Sequence, residues 1–159
     1  MKTAFQYISV LLFYTTFSSY MAKADFQAGL DAINAKDFVT AIKELRPEAE
    51  QGNVDAQYML GVLYDSGEGV LEDDVEAVKW YRLAAEQGHT ASQYMLGFQT
   101  AIGKGTQKDF VNAYMWINLA AAKGDEDAVI AKKTLQERMT QDQIQKAQKL
   151  SREWFEKHQ

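Results

Sequence analysis

The sequence predicts an all-α fold: a solenoid of antiparallel helix pairs finished by a C-terminal capping helix. The first observation is a repeat. Residues 52–87 laid on 88–123 without a gap share 15 identities in 36, where unrelated segments share about 2 or 3 at ordinary residue frequencies. A fixed period in this range marks stacked supersecondary units. The second observation is the spacing inside the period. Ala77, Trp80, Tyr81, Ala84 and Ala85 fall at i, i+3, i+4, i+7 and i+8, the stripe of a helix buried on one side. Leu60, Gly61 and Tyr64 follow Ala56 and Gln57 at helical spacing too. The third is punctuation. Gly67-Glu68-Gly69 returns as Gly103-Lys104-Gly105 between the helices of each pair, and Gly88 and Gly124 follow the second helices, because glycine opens turns and ends helices without strain.

The elements follow in order. Lys2 precedes an uncharged run from Thr3 to Ala22, apolar mainly through Phe5 and Tyr7 to Phe17, and then comes Ala22-Lys23-Ala24. A basic start, a short apolar core and a small-x-small site make residues 1–24 a secretory signal peptide, cut after Ala24. The alternative is a retained anchor, since twenty uncharged residues can just span a bilayer, although Thr15, Thr16, Ser18 and Ser19 dilute the run. Residues 25–51 read as a shorter pair of the tetratricopeptide kind: Gly29 stands 12 residues before Ala41, whereas Gly61 and Gly97 stand 16 before Ala77 and Ala113. Its helices are expected over 26–35 and 38–51, with Pro47 kinking or restarting the second. Residues 52–87 and 88–123 are the full copies, in which Gly61 and Ala84 mark close helix approach and Trp80 fills the adjacent volume. After Gly124 the pattern decays into terminal and capping helices over 124–159. Asp125, Glu126 and Asp127 suit a positive helix start, while Lys132 and Lys133 stand where Leu96 and Gly97 stood, which stops the stacking. Thr140 and Gln143 form a capping box. Ile144, Ala147, Leu150, Trp154 and Phe155 cover the end of the array, and Lys146, Lys149, Arg152 and Lys157 stay in water.

The pattern A-Q-Y-x-L-G-x-x-Y-x-x-G-x-G-V-x-x-D-x-x-x-A-x-x-W-Y-x-x-A-A-x-Q-G, carried from Ala56 to Gly88, resembles the Sel-one-like repeat, a longer-looped relative of the tetratricopeptide repeat. The second copy departs from it at Thr100 and Ile117, which replace Tyr64 and Tyr81. The resemblance implies a right-handed α-α superhelix, and members that mostly act as protein-interaction scaffolds, many of them exported by bacteria.

Composition narrows the function. The net charge of −5 becomes −7 once residues 1–24 are removed, since they hold Lys2 and Lys23 and no acid. An acidic surface without a basic stripe argues against nucleic acid and against anionic membrane as partners. The chain has no cysteine, so its core alone must hold it outside the cell. The histidines are His89 and His158. No nucleophile with an adjacent base is legible, nor a clustered set of metal ligands; the expectation is no catalytic residue, no metal and no cofactor, with His89 a solvated loop residue. Glu72-Asp73-Asp74 and Asp125-Glu126-Asp127 read as helix-start acids. Asp65 with Gly67, Glu68 and Gly69 lacks EF-hand spacing, and the G-x-G turns follow helices rather than strands, unlike a nucleotide cradle. Glu68 and Glu72 stand one period before Lys104 and Lys108, so successive loops should attract, by a few tenths of a kcal/mol for exposed pairs.

Binding is then the function to look for, on the inner face made by the first helix of each pair. Its candidate contacts are Tyr58, Val62 and Asp65 with their equivalents Tyr94, Phe98 and Ile102, apolar groups that suit a protein or peptide partner; the repeated Tyr58 and Tyr94 also fit plain core packing. The leading reading is an exported, non-enzymatic interaction scaffold, periplasmic or secreted, with no membrane contact once the signal is cut. The alternatives are a membrane-tethered regulator that keeps residues 1–24 and a cell-envelope hydrolase. Cysteine-rich relatives are associated with β-lactam or peptidoglycan chemistry, but the resemblance ties those to a disulfide per repeat, which this chain lacks.

Overall fold

The structure, a computed structural model, describes residues 26–158, and the targeting segment expected over residues 1–24 lies outside them. Every element among the described residues is a helix: α1 (26–34), α2 (Phe38–Glu50), α3 (Val54–Ser66), α4 (Asp74–Glu86), α5 (Thr90–Ile102), α6 (Phe110–Ala122), α7 (Glu126–Gln136) and α8 (Gln141–Lys157). Side chains cap the starts. Asp37, Asn53, Asp73, Asp109 and Asp125 accept first-turn amides of α2, α3, α4, α6 and α7, donors that no carbonyl inside the helix can reach. In both acidic clusters one carboxylate is therefore used as a cap. α2 runs through Pro47 without a break, so the proline does not restart it.

The pairs are antiparallel. The Asp73 amide at the start of α4 donates to the Tyr64 carbonyl near the end of α3 (3.0 Å), and Gln87 Nε2 past the end of α4 donates to Gln57 Oε1 in the first turn of α3 (2.8 Å). Asp109 and Thr100 close α5 on α6 in the same way at 3.1 Å. Between pairs, a buried amide makes the link: Gln57 Nε2 donates to the Ala49 carbonyl at 3.0 Å and Gln93 Nε2 to that of Ala85 at 3.2 Å. One period further on the residue is Val129, so the amide link is not repeated at α7, which reaches α6 instead through Lys132 Nζ to Asn118 Oδ1 (3.4 Å) and Gln136 Nε2 to the Tyr114 hydroxyl (3.2 Å).

Packing inside each pair turns on a glycine. Gly29, Gly61 and Gly97 face Leu45, Tyr81 and Ile117, and a Cβ at Gly61 would stand 2.5 Å from the Tyr81 ring. This corrects the assignment of Trp80 to that gap. Trp80 and Trp116 are both buried, but the neighbouring position, 100° around the helix, is the one aimed at the glycine. The loops have their own close approach. A Cβ at Gly105 would lie 2.0 Å from the Asp74 carbonyl oxygen, so the loop after α5 sits directly on the start of α4.

That seat decides the loop charges. Lys104 reaches back to Asp65 (2.8 Å), Glu72 (3.1 Å) and Asp74 (2.8 Å), and these carboxylates hold its ammonium above the usual lysine range. The expected attraction between loops thus exists through a different pair. Lys108 lies over the Phe110 ring, 5.0 Å from its centroid, rather than against Glu72.

Two buried clusters meet at α6: Met115, Trp116 and Leu119 belong to the one built from the earlier pairs, against which Leu150 and Trp154 of α8 also pack, and Tyr114, Ile117 and Ala120 belong to the one that holds Ala128 and Leu135 of α7 with Ile144 and Ala147 of α8. An apolar surface on all sides is what an enclosed helix needs. α8 starts on the expected capping box, with both Thr140–Gln143 bonds formed, and packs on α6. There Ile144, Ala147 and Ser151 are buried, and Ser151 Oγ donates to the Met115 carbonyl. Phe155 is 54% exposed, contrary to the expected stripe. The close crossing of α8 on α6 seats small residues at its centre, and Phe155 lies on the flank beside Leu119 and Ala122.

Candidate functional site

Among the described residues, an apolar cleft has two first helices as its walls. Tyr94, Phe98 and Ile102 line it from α5, Ile130, Thr134 and Arg138 from α7 and the residue pair beyond its end, and Phe110 and Ile117 form its floor from α6; its volume is about 270 Å³. Phe98, Ile102 and Ile130 are 42%, 52% and 64% exposed, and they lie together along one groove rather than scattered singly over the surface.

The cleft exists because the repeat changes at this point. Between α3 and α5 the same region is bridged: Gln99 Nε2 donates to Asp65 Oδ1 at 2.8 Å, and Lys104 reaches the same oxygen. The Tyr81 ring fills the floor. One period later Asp65, Gln99 and Tyr81 become Ala101, Leu135 and Ile117. The bridge has no donors or acceptors left, the floor is smaller, and an apolar gap remains.

Of the six candidate contacts, the structure brings Tyr94, Phe98 and Ile102 together in this cleft. Tyr58 and Val62 are half-buried one repeat earlier. Tyr58 packs against Tyr81 and against His89, with ring centroids 6.1 Å and 4.8 Å away, and Asp65 is occupied by the bridge. Sequence reasoning missed the α7 wall. Its signal was available: Ile130 stands one period after Tyr94, though the pattern around it had already decayed.

His89 is not the solvated loop residue expected. It is the N-cap of α5, where Nδ1 accepts the Ser92 amide at 3.2 Å, and its ring is half-buried. Burial holds it below the ordinary imidazole pKa, with Asp55 opposing and Lys123 assisting. Ser92 Oγ lies 2.8 Å from Nδ1 and Asp55 Oδ1 lies 3.8 Å from Nε2. A nucleophile beside a base is therefore present in outline, contrary to expectation. Ser92 has no exposed surface, however, so no substrate reaches its hydroxyl and the contact works as a helix cap. Among the described residues no three His, Asp or Glu side chains gather as a metal site, and no helix is long and apolar enough to cross a membrane.

Comparison with known proteins fits this geometry. The Sel1 repeat matches residues 54–89 and again 90–125, which are α3–α4 and α5–α6, each with the turn and the cap of the helix that follows. This chain carries two Sel1 repeats. The 36-residue copies read from glycine to glycine are the same units shifted by two residues. Similar solved structures include a protective antigen of uropathogenic Escherichia coli displaying an SLR fold, 30% identical with a TM-score of 0.80, covering 86% of this chain and 30% of that one. A Sel1 repeat protein from Oxalobacter formigenes is 41% identical with a TM-score of 0.58 and covers 60% of this chain and 39% of that one. The chain thus spans well under half the length of either. Helicobacter pylori cysteine rich protein B shares the fold at 21% identity and a TM-score of 0.55, over 68% of this chain and 92% of that one. No curated protein matches the chain. The Sel1 array is a right-handed all-α solenoid, and repeats of this kind generally serve as non-catalytic protein-interaction scaffolds.

Proposed function

We propose that this Sel1 repeat chain is an exported, non-enzymatic adaptor that docks a protein or peptide partner in the α5–α6–α7 cleft. The observation that carries the reading is the cleft itself: three exposed apolar side chains, Phe98, Ile102 and Ile130, ring a gap where the preceding repeat has a polar bridge. Exposed apolar surface held in a concave trough favours association over solubility. Export rests on the composition of residues 1–24 and places the adaptor in the periplasm or outside the cell. The acidic net charge of −5 disfavours nucleic acid as the partner.

The test is a pull-down from envelope and culture-medium fractions of the native host, comparing the wild-type chain with the Phe98→Asp/Ile102→Asp variant at matched helical content. The expected result is a partner held by the wild type and lost by the variant. Equal capture by both would remove the cleft as the docking face.

A further inference from the structure

The cleft is apolar along its length and oppositely charged at its two ends. At the end nearest the starts of α5 and α7, Asp127 lines it beside Tyr94, and the carboxylates of Asp127 and Asp125 are close enough to act on the Tyr94 hydroxyl. At the other end Arg138 lines it beside Ile102 and Phe110, and Lys108 adds a second cation 5.0 Å from the Phe110 centroid. Asp127 lies in the first turn of α7, and Arg138 lies two residues past its end. Among the described residues, no ion pair within 4.0 Å involves Asp127, Arg138 or Lys108. One repeat earlier the situation is reversed: Lys104 sits among three carboxylates and the charges answer one another within the chain. The cleft leaves its charges for something else to answer.

Building on the docking role proposed above, we infer that the occupant is an amphipathic peptide segment with apolar side chains seated between Tyr94 and Ile102. A cationic side chain of the segment lies toward Asp127, and a carboxylate lies toward Arg138 and Lys108. At about 270 Å³ and open along one side, the trough falls at the lower edge of pockets that enclose small ligands and suits a few side chains of a longer chain. Complementary charge at both ends discriminates against uniformly acidic or uniformly basic segments more than it adds affinity.

Three synthetic peptides test this on the full chain by fluorescence anisotropy at low salt. They share one leucine-bearing core and carry Lys at one end with Glu at the other, Lys at both ends, or Glu at both ends. The mixed peptide should bind about fivefold or more tightly than either uniform one, as expected when one partly exposed charge pair is turned from attraction to repulsion. Arg138→Glu, at an exposed position, should move the Lys-ended peptide to the top of the order, and Ile130→Asp should abolish binding of all three. Equal binding of the three peptides, no binding of the mixed one, or an order unchanged by Arg138→Glu would overturn the inference. If any of these occurs while capture of the natural partner still depends on Phe98 and Ile102, the docking cleft stands and only its stated chemistry falls. If capture ignores Phe98 and Ile102, both fall.

Discussion

At the scale of single residues, stability is concentrated where side chains are absent. Gly61 meets the fully buried Tyr81 ring, and an added Cβ would stand 2.5 Å from two ring atoms. Overpacking of this kind costs about 1–3 kcal/mol, and the better helix propensity of alanine returns about 1 kcal/mol. Gly61→Ala should therefore lose on the order of 1 kcal/mol in urea unfolding; a raised midpoint would contradict the packing described. His89 makes a second forecast. Burial depresses its folded-state pKa below the ordinary 6.5, so the neutral ring is favoured by folding. That contribution is complete above pH 6.5 and declines as pH falls from there toward the folded-state value, below which the loss is constant. His89→Asn keeps a good cap without a titrating group, so the thermal midpoint of the wild type should drop relative to the variant between pH 7.5 and 5.5. Parallel midpoints would exclude the role. The close approach at Gly61 was legible because the period repeats it at Gly97. The identity of its partner was not, since Trp80 and Tyr81 are adjacent, both apolar and both buried. The cap at His89 was legible only through its equivalents Asn53 and Asp125, because histidine is not an ordinary N-cap residue.

At the scale of elements, helices were readable almost to the residue because caps, glycines and spacing all point to the same boundaries. The expected helices 26–35 and 38–51 end one residue earlier, at 34 and Glu50. What the sequence left open was how α8 would sit. Its stripe named Phe155, but a helix that crosses α6 closely selects the small Ala147 and Ser151 for the contact. The capping box makes α8 testable by itself. Thr140→Ala removes the acceptor for the Gln143 amide (3.3 Å) and should cost about 0.5–2 kcal/mol. Amide exchange in α8 should accelerate more than in α3 or α4, because α8 packs chiefly on α6 while those helices are each held between two others. Uniform acceleration through the array would show instead that α8 unfolds only with the whole.

At the scale of the molecule, the repeat explains both the stack and its interruption. Gln57 and Gln93 hook each pair to the one before it, and Asp65 with Gln99 and Lys104 bridges the first two full first helices. Both devices cease at α7. Half of the cleft was legible in Tyr94, Phe98 and Ile102; its other wall lay in a segment whose likeness to the repeat had faded, so only the spacing from Tyr94 to Ile130 pointed to it. The fold therefore followed from periodicity, whereas the site arises where periodicity is broken. The most direct measurement places a photo-crosslinking amino acid at Phe98 in one sample and at Leu71 in another, the latter an 88% exposed apolar position in a loop away from the cleft. The account predicts a discrete partner adduct from Phe98 that Ile130→Asp removes, and none from Leu71. An adduct from Leu71 with none from Phe98 would contradict it.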